Sequence, residues 1–222
     1  MANDQMKNGL VRRSYNFEVG SADSENGEKI ITGRPIVYDS KTDMIYFDEI
    51  IDRGALDKTD LTDVRFLVNH NTEMIPLARS RRNNGNSTMQ LSPDANGLGI
   101  EVKLDTENNM DARALYSAVQ RGDISGMSFM FSIDGERWEN LESEHPTRHI
   151  EAIGSVVEVS AVTFPAYDAT SIDARSEEAL DSARSALESA RQLNANLVDT
   201  RAQKTEQELA LAKAKFQFAN KF

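Results

Sequence analysis

Apolar and polar positions alternate in short runs over the first three quarters of the chain. In GLGIEVKL, at residues 97–104, every second side chain is apolar, which places the apolar set on one face of a strand. The Pro-Asp-Ala-Asn-Gly segment at 93–97 predicts a tight turn before it and therefore a hairpin. Similar runs predict further strands, and the full set is SYNFEVG, KIITGRPIVY, MIYFDEI, VRFLVNH, STMQLSP, GLGIEVKL, SGMSFMFSI and SVVEVSAVTF.

Helical spacing appears at two places among these strands. Asn109 is a suitable N-cap, Gly122 a suitable C-terminal stop, and the residues between them have an apolar side formed by Ala112, Leu115, Tyr116 and Val119. A shorter helix is predicted after Asp52, through RGALDK. The pattern therefore predicts a mostly β fold of the α+β class, with helices packed on a sheet or barrel.

The pattern changes near residue 175. From Ser176 to Phe222 there is no Pro or Gly, and Leu180, Ala183 and Leu187 begin a stripe with steps of three and four residues. We interpret residues 1–12 as a flexible N-terminus, 13–175 as the main domain and 176–222 as a helical arm. A thin, Ala-rich stripe favours a coiled coil or a docking arm over a helix packed on its own domain, although the second arrangement stays open.

Composition excludes several classes of function. The net charge of −11 argues against a nucleic-acid partner, because phosphate contacts need clustered Lys and Arg. There is no cysteine, so thiol catalysis, disulfides and thiolate metal sites are excluded. No segment approaches the roughly 20 apolar residues that span a bilayer, and residues 1–17 lack the apolar core of a signal peptide. We expect a soluble, intracellular protein without a membrane partner.

The three histidines do not predict a metal site. His145 and His149 are four residues apart, which would suit two ligands on one helical face, but Pro146 and the surrounding pattern argue against a helix there. His70 is different, because it ends the apolar run VRFLVNH. A side chain at the end of a buried strand is firmly held and reaches the surface, which suits a general base, although structural roles are common for such a histidine.

Ser128 and Glu158 are polar residues within apolar strands. Ser128 lies between Met127 and Phe129, and Glu158 lies between Val157 and Val159. A serine hydroxyl becomes nucleophilic when a base removes its proton, and a neutral imidazole can do so near neutral pH. A carboxylate among apolar neighbours is costly to bury unless it is paired, and a histidine would be a suitable partner. An exposed Glu158 on a half-solvated strand is the structural alternative.

An ordered series of segments resembles the prohead maturation proteases of tailed bacteriophages, a family of serine peptidases related to the herpesvirus assembly proteases. Together the segments span about residues 13–175 in the family's order. They are GRPIVYDS, FDEIIDRGAL, VRFLVNHN, GLGIEVKLD, GDISGMSFMFSI and VVEVSAVTFPAYDAT.

The resemblance implies a β-barrel-like fold with surrounding helices and a catalytic set of His70, Ser128 and Glu158. Ser128 occupies the serine of the family's glycine-hydrophobic-serine motif, and Ser125, before the glycine, does not. The related viral proteases use a second histidine as third member, for which His149 is the alternative to Glu158. The family commonly has glycine two residues after the serine, where this chain has Met130, so the cleft near Ser128 is expected to differ. No cofactor or metal is implied.

The function implied by the resemblance is a serine endopeptidase of capsid maturation. It would act in the host cytoplasm inside the immature prohead, cleaving the scaffolding segment of the major capsid protein and itself. The helical arm would then dock on scaffold helices, and a homo-oligomer formed at high concentration in the shell is a further expectation. The competing interpretation is a non-enzymatic assembly scaffold or chaperone, which would explain the arm and the acidic surface equally well.

Overall fold

A computed structural model describes residues 10–15, 20–23, 27–163 and 177–219 of the chain. The described part contains strands, two α-helices and a short 3₁₀ segment at Arg81–Asn83. The strands are β1 (Leu10–Tyr15), β2 (Gly20–Asp23), β3 (Lys29–Val37), β4 (Lys41–Asp43), β5 (Asp48–Ile51), β6 (Arg65–Val68), β7 (Ala78–Arg79), β8 (Met89–Asp94), β9 (Gly97–Leu104), β10 (Gly126–Glu139) and β11 (Thr147–Val162). The helices are α1 (Met110–Arg121) and α2 (Glu177–Ala219).

The described strands form two sheets. The larger sheet has seven strands in the order β1-β10-β11-β5-β4, with β6 on β11 and β7 on β6. The smaller sheet has four antiparallel strands in the order β2-β3-β9-β8. The expected mostly β, α+β fold is confirmed. A closed barrel is not found among the described strands, because β1 and β4 are edges of the larger sheet rather than partners of each other.

Strand β11 is the centre of the larger sheet. Its whole length pairs antiparallel with β10, while its other side pairs in parallel with β5 at the Thr147 end and with β6 at the Val162 end. Two elements that are far apart in sequence therefore meet β11 at opposite ends. This arrangement fixes which residues lie near the end of β6, where the chain leaves the sheet toward His70.

The main core lies between the two sheets. One face of β10 and β11 contributes Phe129, Phe131 and Val159, which are 0% exposed, and β6 adds Phe66. Ile31, Leu98 and Val102 of the smaller sheet join the same cluster. Because side chains alternate along a strand, the residues between these point to the opposite face of the larger sheet. Ser128, Glu158 and Ser160 belong to that opposite face.

Helix α1 confirms the cap and stop predicted from the sequence. The Asn109 side chain accepts from the backbone N–H groups of Asp111 and Ala112, and Gly122 has a left-handed conformation with φ of 79°. The predicted helix through RGALDK is wrong, because residues 53–58 form successive turns. Gly54 there has φ of 87°, a left-handed conformation that interrupts a right-handed helix.

Helix α2 confirms the predicted long tail helix and begins by packing on the body. Ala183 and Leu187 contact Phe47, and Trp138 packs edge-on against Phe47 with ring centroids 4.9 Å apart. Arg191 donates to the main-chain oxygens of Leu141 and Ser143. The side chains described after Asn194 are all exposed. The helix therefore combines a docked first part with a second part in which residues 195–213 have exposed side chains.

Of the two predicted domain boundaries, one falls within the described residues. Strand β1 begins at Leu10, within the segment 1–12 for which we expected a flexible N-terminus, and residues 1–9 lie outside the described residues. The predicted junction near residue 175 also lies outside them. Neither α1 nor α2 is apolar enough over a sufficient length to cross a bilayer.

Candidate active site

The segment that follows β6 brings His70 to the C-terminal end of β11. After Val68 the chain takes a left-handed conformation at both Asn69 and His70, with φ of 49° and 56°. The Asn69 N–H donates to the Ala161 carbonyl at 2.9 Å, and its side chain bonds Thr163. These bonds fasten the turn to β11 and hold the imidazole over the face of the sheet opposite the core.

His70 and Glu158 form a buried pair. Their closest atoms, Nδ1 and Oε2, are 2.7 Å apart, and the side chains are 7% and 5% exposed. An ionised carboxylate can only accept, so the imidazole Nδ1–H donates and the lone pair of a neutral ring is at Nε2. The Nε2 atom is buried and has no hydrogen-bond partner among the described residues. The predicted partnership between His70 and Glu158 is thus present in the structure.

Ser128 lies on the neighbouring strand, on the same face as Glu158. Its Cα partner across the sheet is Ser160, and Glu158 faces Met130, two residues further along β10. Ser128 and Glu158 are therefore diagonal neighbours, for which Cβ separations of roughly 7–8 Å or less are usual. Ser128 is 0% exposed, and its hydroxyl donates to the Arg13 main-chain oxygen of β1 at 2.8 Å. That hydroxyl is hydrogen-bonded to β1 rather than to His70.

Met130 covers part of this face. It is 9% exposed, and it lies directly opposite Glu158. Where a glycine would leave this position open, Met130 places a large apolar side chain on the face that carries Glu158. The departure from the family's common glycine thus falls on the face that carries the candidate catalytic residues.

His149 lies far from this face. It is nine positions before Glu158 on β11, which corresponds to about 30 Å along a strand. Its Nδ1 is 2.8 Å from an Asp52 oxygen, and its Nε2 is 3.6 Å from Glu139. Among the described residues, Glu158 and not His149 contacts His70, which favours Glu158 as the third member of the site.

One other cluster of metal-ligand residue types occurs among the described residues, and it is a poor candidate for a second site. Asp43, Asp48 and His145 have ligand-type atoms within 4.8 Å of one another, but Lys41 forms an ion pair with Asp48 in the same place. Lys41 and His145 outweigh the effect of burial and hold the pKa of Asp48 below its usual value. A cation there would have to displace the Lys41 ammonium. His145 and His149 bind different carboxylates, Asp48 and Asp52, so they do not form the zinc pair considered from their spacing.

Ser160 is a residue of the candidate site that was not identified from the sequence. It is 0% exposed, accepts a hydrogen bond from the His70 main-chain N–H at 3.0 Å, and donates to Glu158 Oε1. The available signal was its spacing of two residues from Glu158, which puts both on one face of β11.

Comparison with known protein families gives a match. The family model of the caudovirus prohead serine proteases matches residues 15–184. The chain belongs to the caudovirus prohead serine protease family.

The chain was also compared with solved structures and with curated protein sequences. A solved structure of the capsid assembly protease of bacteriophage T4 is similar to the chain with 12% identity and a TM-score of 0.41, over 69% of this chain and 96% of that one. No curated protein sequence matches the chain.

Proposed function

We propose that the protein is an endopeptidase in which Ser128 is the nucleophile, His70 the general base and Glu158 the group that orients and stabilises the imidazole. The observation that carries this proposal is the buried His70–Glu158 pair at 2.7 Å, with Nε2 left without a partner among the described residues. A buried acceptor without a partner costs free energy. The Nε2 atom of His149 is also buried without a hydrogen-bond partner among the described residues, so His70 is distinguished by its bond to Glu158, on the face of the sheet that also carries Ser128.

The chemistry follows from the positions of the protons. Ser128 turns its hydroxyl from the Arg13 oxygen toward Nε2, which takes the proton as Oγ attacks a peptide carbonyl. Glu158 stabilises the imidazolium that forms, and Nε2 returns the proton to the leaving amine. Water then hydrolyses the acyl-enzyme by the same route. Since Ser128 is fully buried in this structure, substrate entry requires side chains over this face to move.

Family membership supports the identity of the substrates. We propose that the protein cleaves the scaffolding segment of the major capsid protein, and itself, inside the immature phage prohead in the host cytoplasm. The exposed second part of α2 is long enough to dock on scaffold helices. A non-enzymatic scaffold would use α2 equally well, but the buried pair on the sheet favours the enzyme.

The test is a time course of the purified protein beside Ser128→Ala, read on gels and with a fluorophosphonate probe for reactive serine. The unmodified chain should shorten itself and take up the probe. Ser128→Ala should lose at least roughly a thousandfold in rate, because the nucleophile is gone.

The matched control is Ser132→Ala on the same strand, which removes a hydroxyl bonded to Ser155 instead. This variant should shorten and label like the unmodified chain. Equal shortening of the unmodified chain and Ser128→Ala would assign the cleavage to a contaminating protease and refute the proposed nucleophile.

A further inference from the structure

The hydroxyl of Ser160 joins the two residues of the His70–Glu158 pair. A main-chain N–H can only donate, so the 3.0 Å bond from His70 makes Ser160 Oγ an acceptor. The single Ser160 hydroxyl proton is then free to donate, and it goes to Glu158 Oε1. One buried side chain thus contacts the backbone of the histidine and the carboxylate of the glutamate.

This arrangement fixes the carboxylate of Glu158. Ser160 holds Oε1 while His70 Nδ1–H holds Oε2, so each oxygen has its own donor. Rotation of the carboxyl group would break both bonds in a buried setting, where unpaired polar groups are unfavourable. Ser160 therefore stabilises the one orientation in which Glu158 points at Nδ1.

Ser160 also holds the strained turn that carries the imidazole. His70 has a left-handed backbone, a conformation that is strained for a residue with a side chain. Asn69 fastens one side of this turn to β11, and the Ser160 hydroxyl fastens His70 itself. Without the hydroxyl, the His70 N–H loses its partner and the turn can relax away from the sheet.

We infer that Ser160 is a positioning residue of the catalytic site, and this inference rests on the proposed function. It acts through His70 and Glu158. Ser160 lies beside Ser128 on the neighbouring strand, since the two are Cα partners between β11 and β10. On its other side, its Cα partner on β6 is Leu67. A shift of about 1 Å in the imidazole is enough to lower the rate about a hundredfold.

The experiment compares Ser160→Ala with a matched control, Ser80→Ala. Ser80 is also 0% exposed, and its hydroxyl likewise accepts from a main-chain N–H, that of Val64 at 3.1 Å, and donates to the Leu61 oxygen at 3.1 Å. The two variants therefore lose the same kind of buried hydroxyl, one at the site and one away from it. Ser160→Thr keeps the hydroxyl and serves as the conservative variant.

Two readouts are needed. For a peptide taken from a self-cleavage site, Ser160→Ala should lower kcat about 10- to 100-fold with KM within about twofold, whereas Ser80→Ala should leave both unchanged. Ser160→Thr should recover most of kcat. In proton–nitrogen NMR of histidine-labelled protein, the exchange-protected Nδ1–H signal of His70 should weaken or move in Ser160→Ala and stay in Ser80→Ala.

The outcomes separate the two proposals. An unchanged kcat and an unchanged His70 signal in Ser160→Ala would overturn the positioning role, as would an equal loss of kcat in Ser80→Ala. If Ser160→Thr fails to fold, as judged by its unfolding curve, the comparison of the two alanine variants decides alone. An unmodified protein that neither cleaves nor labels would refute the proposed function, and the NMR comparison would still decide whether Ser160 positions His70.

Discussion

At the scale of single residues, Glu49 and Glu158 show two ways of holding a carboxylate away from water. Glu49 is 1% exposed and lies between two guanidinium groups, with Arg13 Nη2 at 2.6 Å and Arg148 Nη1 at 3.4 Å. Glu158 instead accepts from a hydroxyl and an imidazole. Two fixed cations suit a structural link between strands, whereas an imidazole can gain and lose a proton near neutral pH.

Glu49→Gln is expected to destabilise the fold. Burial alone would raise the pKa of Glu49, but Arg13 and Arg148 outweigh it and hold the pKa below its usual value. Removing the charge takes a buried carboxylate away from two guanidinium groups, although Arg148 keeps its ion pair with Glu136. The free energy of unfolding at pH 7 should therefore fall, by no more than the roughly 3–5 kcal/mol that loss of one member of a buried ion pair costs. Urea unfolding measures this difference.

The pH dependence of the same variant follows from the direction of the shift. A lowered folded-state pKa contributes stability that is complete above the unfolded value of about 4.3 and is lost as pH falls through the folded value. The difference in free energy of unfolding between the unmodified chain and Glu49→Gln should therefore become smaller below about pH 4. Glu101→Gln, at an exposed position of β9, should change the free energy by less than about 0.5 kcal/mol; a loss as large as that of Glu49→Gln would contradict the argument.

The site was predictable in part from its residue types. His70 follows an apolar run and Glu158 interrupts one, and the pairing of a buried carboxylate with a histidine follows from the cost of leaving it alone. The Ser128 hydroxyl bond to Arg13 was not predictable, because it spans 115 positions and depends on the register of β1 on β10. Ser160 was missed because its partner N–H is set by two left-handed residues, which strand alternation does not reveal.

At the scale of elements, the turn between β8 and β9 depends on one glycine. Gly97 has φ of 136°, and a Cβ there would lie 2.0 Å from the Ile36 main-chain oxygen. This close approach lets β9 pair with the end of β3, where Val37 is the Cα partner of Gly97. The main chains of β3 and β9 therefore come too close together at Gly97 to leave room for a side chain.

Gly97→Ala is expected to lower the free energy of unfolding by at least about 2 kcal/mol, because the new methyl group meets the backbone and the conformation is strained. Chemical denaturation is the measurement. Gly99→Ala on the same strand is the control, since its Cβ would lie 3.5 Å from the Ser92 oxygen, an ordinary contact. Equal effects of the two changes would show that strand glycines matter here only through backbone entropy.

The elements with local signals were predictable, and those defined by long-range pairing were not. Helix α1 has its cap and its stop in the sequence, and the β8–β9 hairpin has its turn. Strands β10 and β11 extend beyond their apolar runs, to Glu139 and back to Thr147, because they pair with each other through polar segments with several bulges. A closed barrel is not found among the described strands, and whether two edge strands pair is not determined by the sequence of either strand alone.

At the scale of the whole molecule, α2 separates into two parts with different contacts. Its first part covers Phe47, which is 0% exposed. In the same part, Arg184 Nη2 donates to the Tyr46 hydroxyl oxygen at 2.8 Å. Its second part, residues 195–219, is about 37 Å long. Large apolar side chains there are more than half exposed: Leu197, Val198, Leu209 and Leu211. Burial of such side chains against a partner would contribute about 1.5–3 kcal/mol each, an upper estimate for residues that start only partly exposed.

Two truncations distinguish the roles of these parts. A chain ending at Asn194 keeps every described contact between α2 and the body, so its melting temperature and peptide cleavage should match those of the full chain, while its incorporation into proheads should be lost. A chain ending at residue 176 exposes Phe47 and should unfold several degrees lower, because a buried aromatic side chain loses its cover. Calorimetry measures the melting temperatures. The protease content of proheads assembled with each chain measures incorporation. Normal incorporation of the chain ending at Asn194 would refute a docking role for the exposed part, since the docked part would then suffice for packaging.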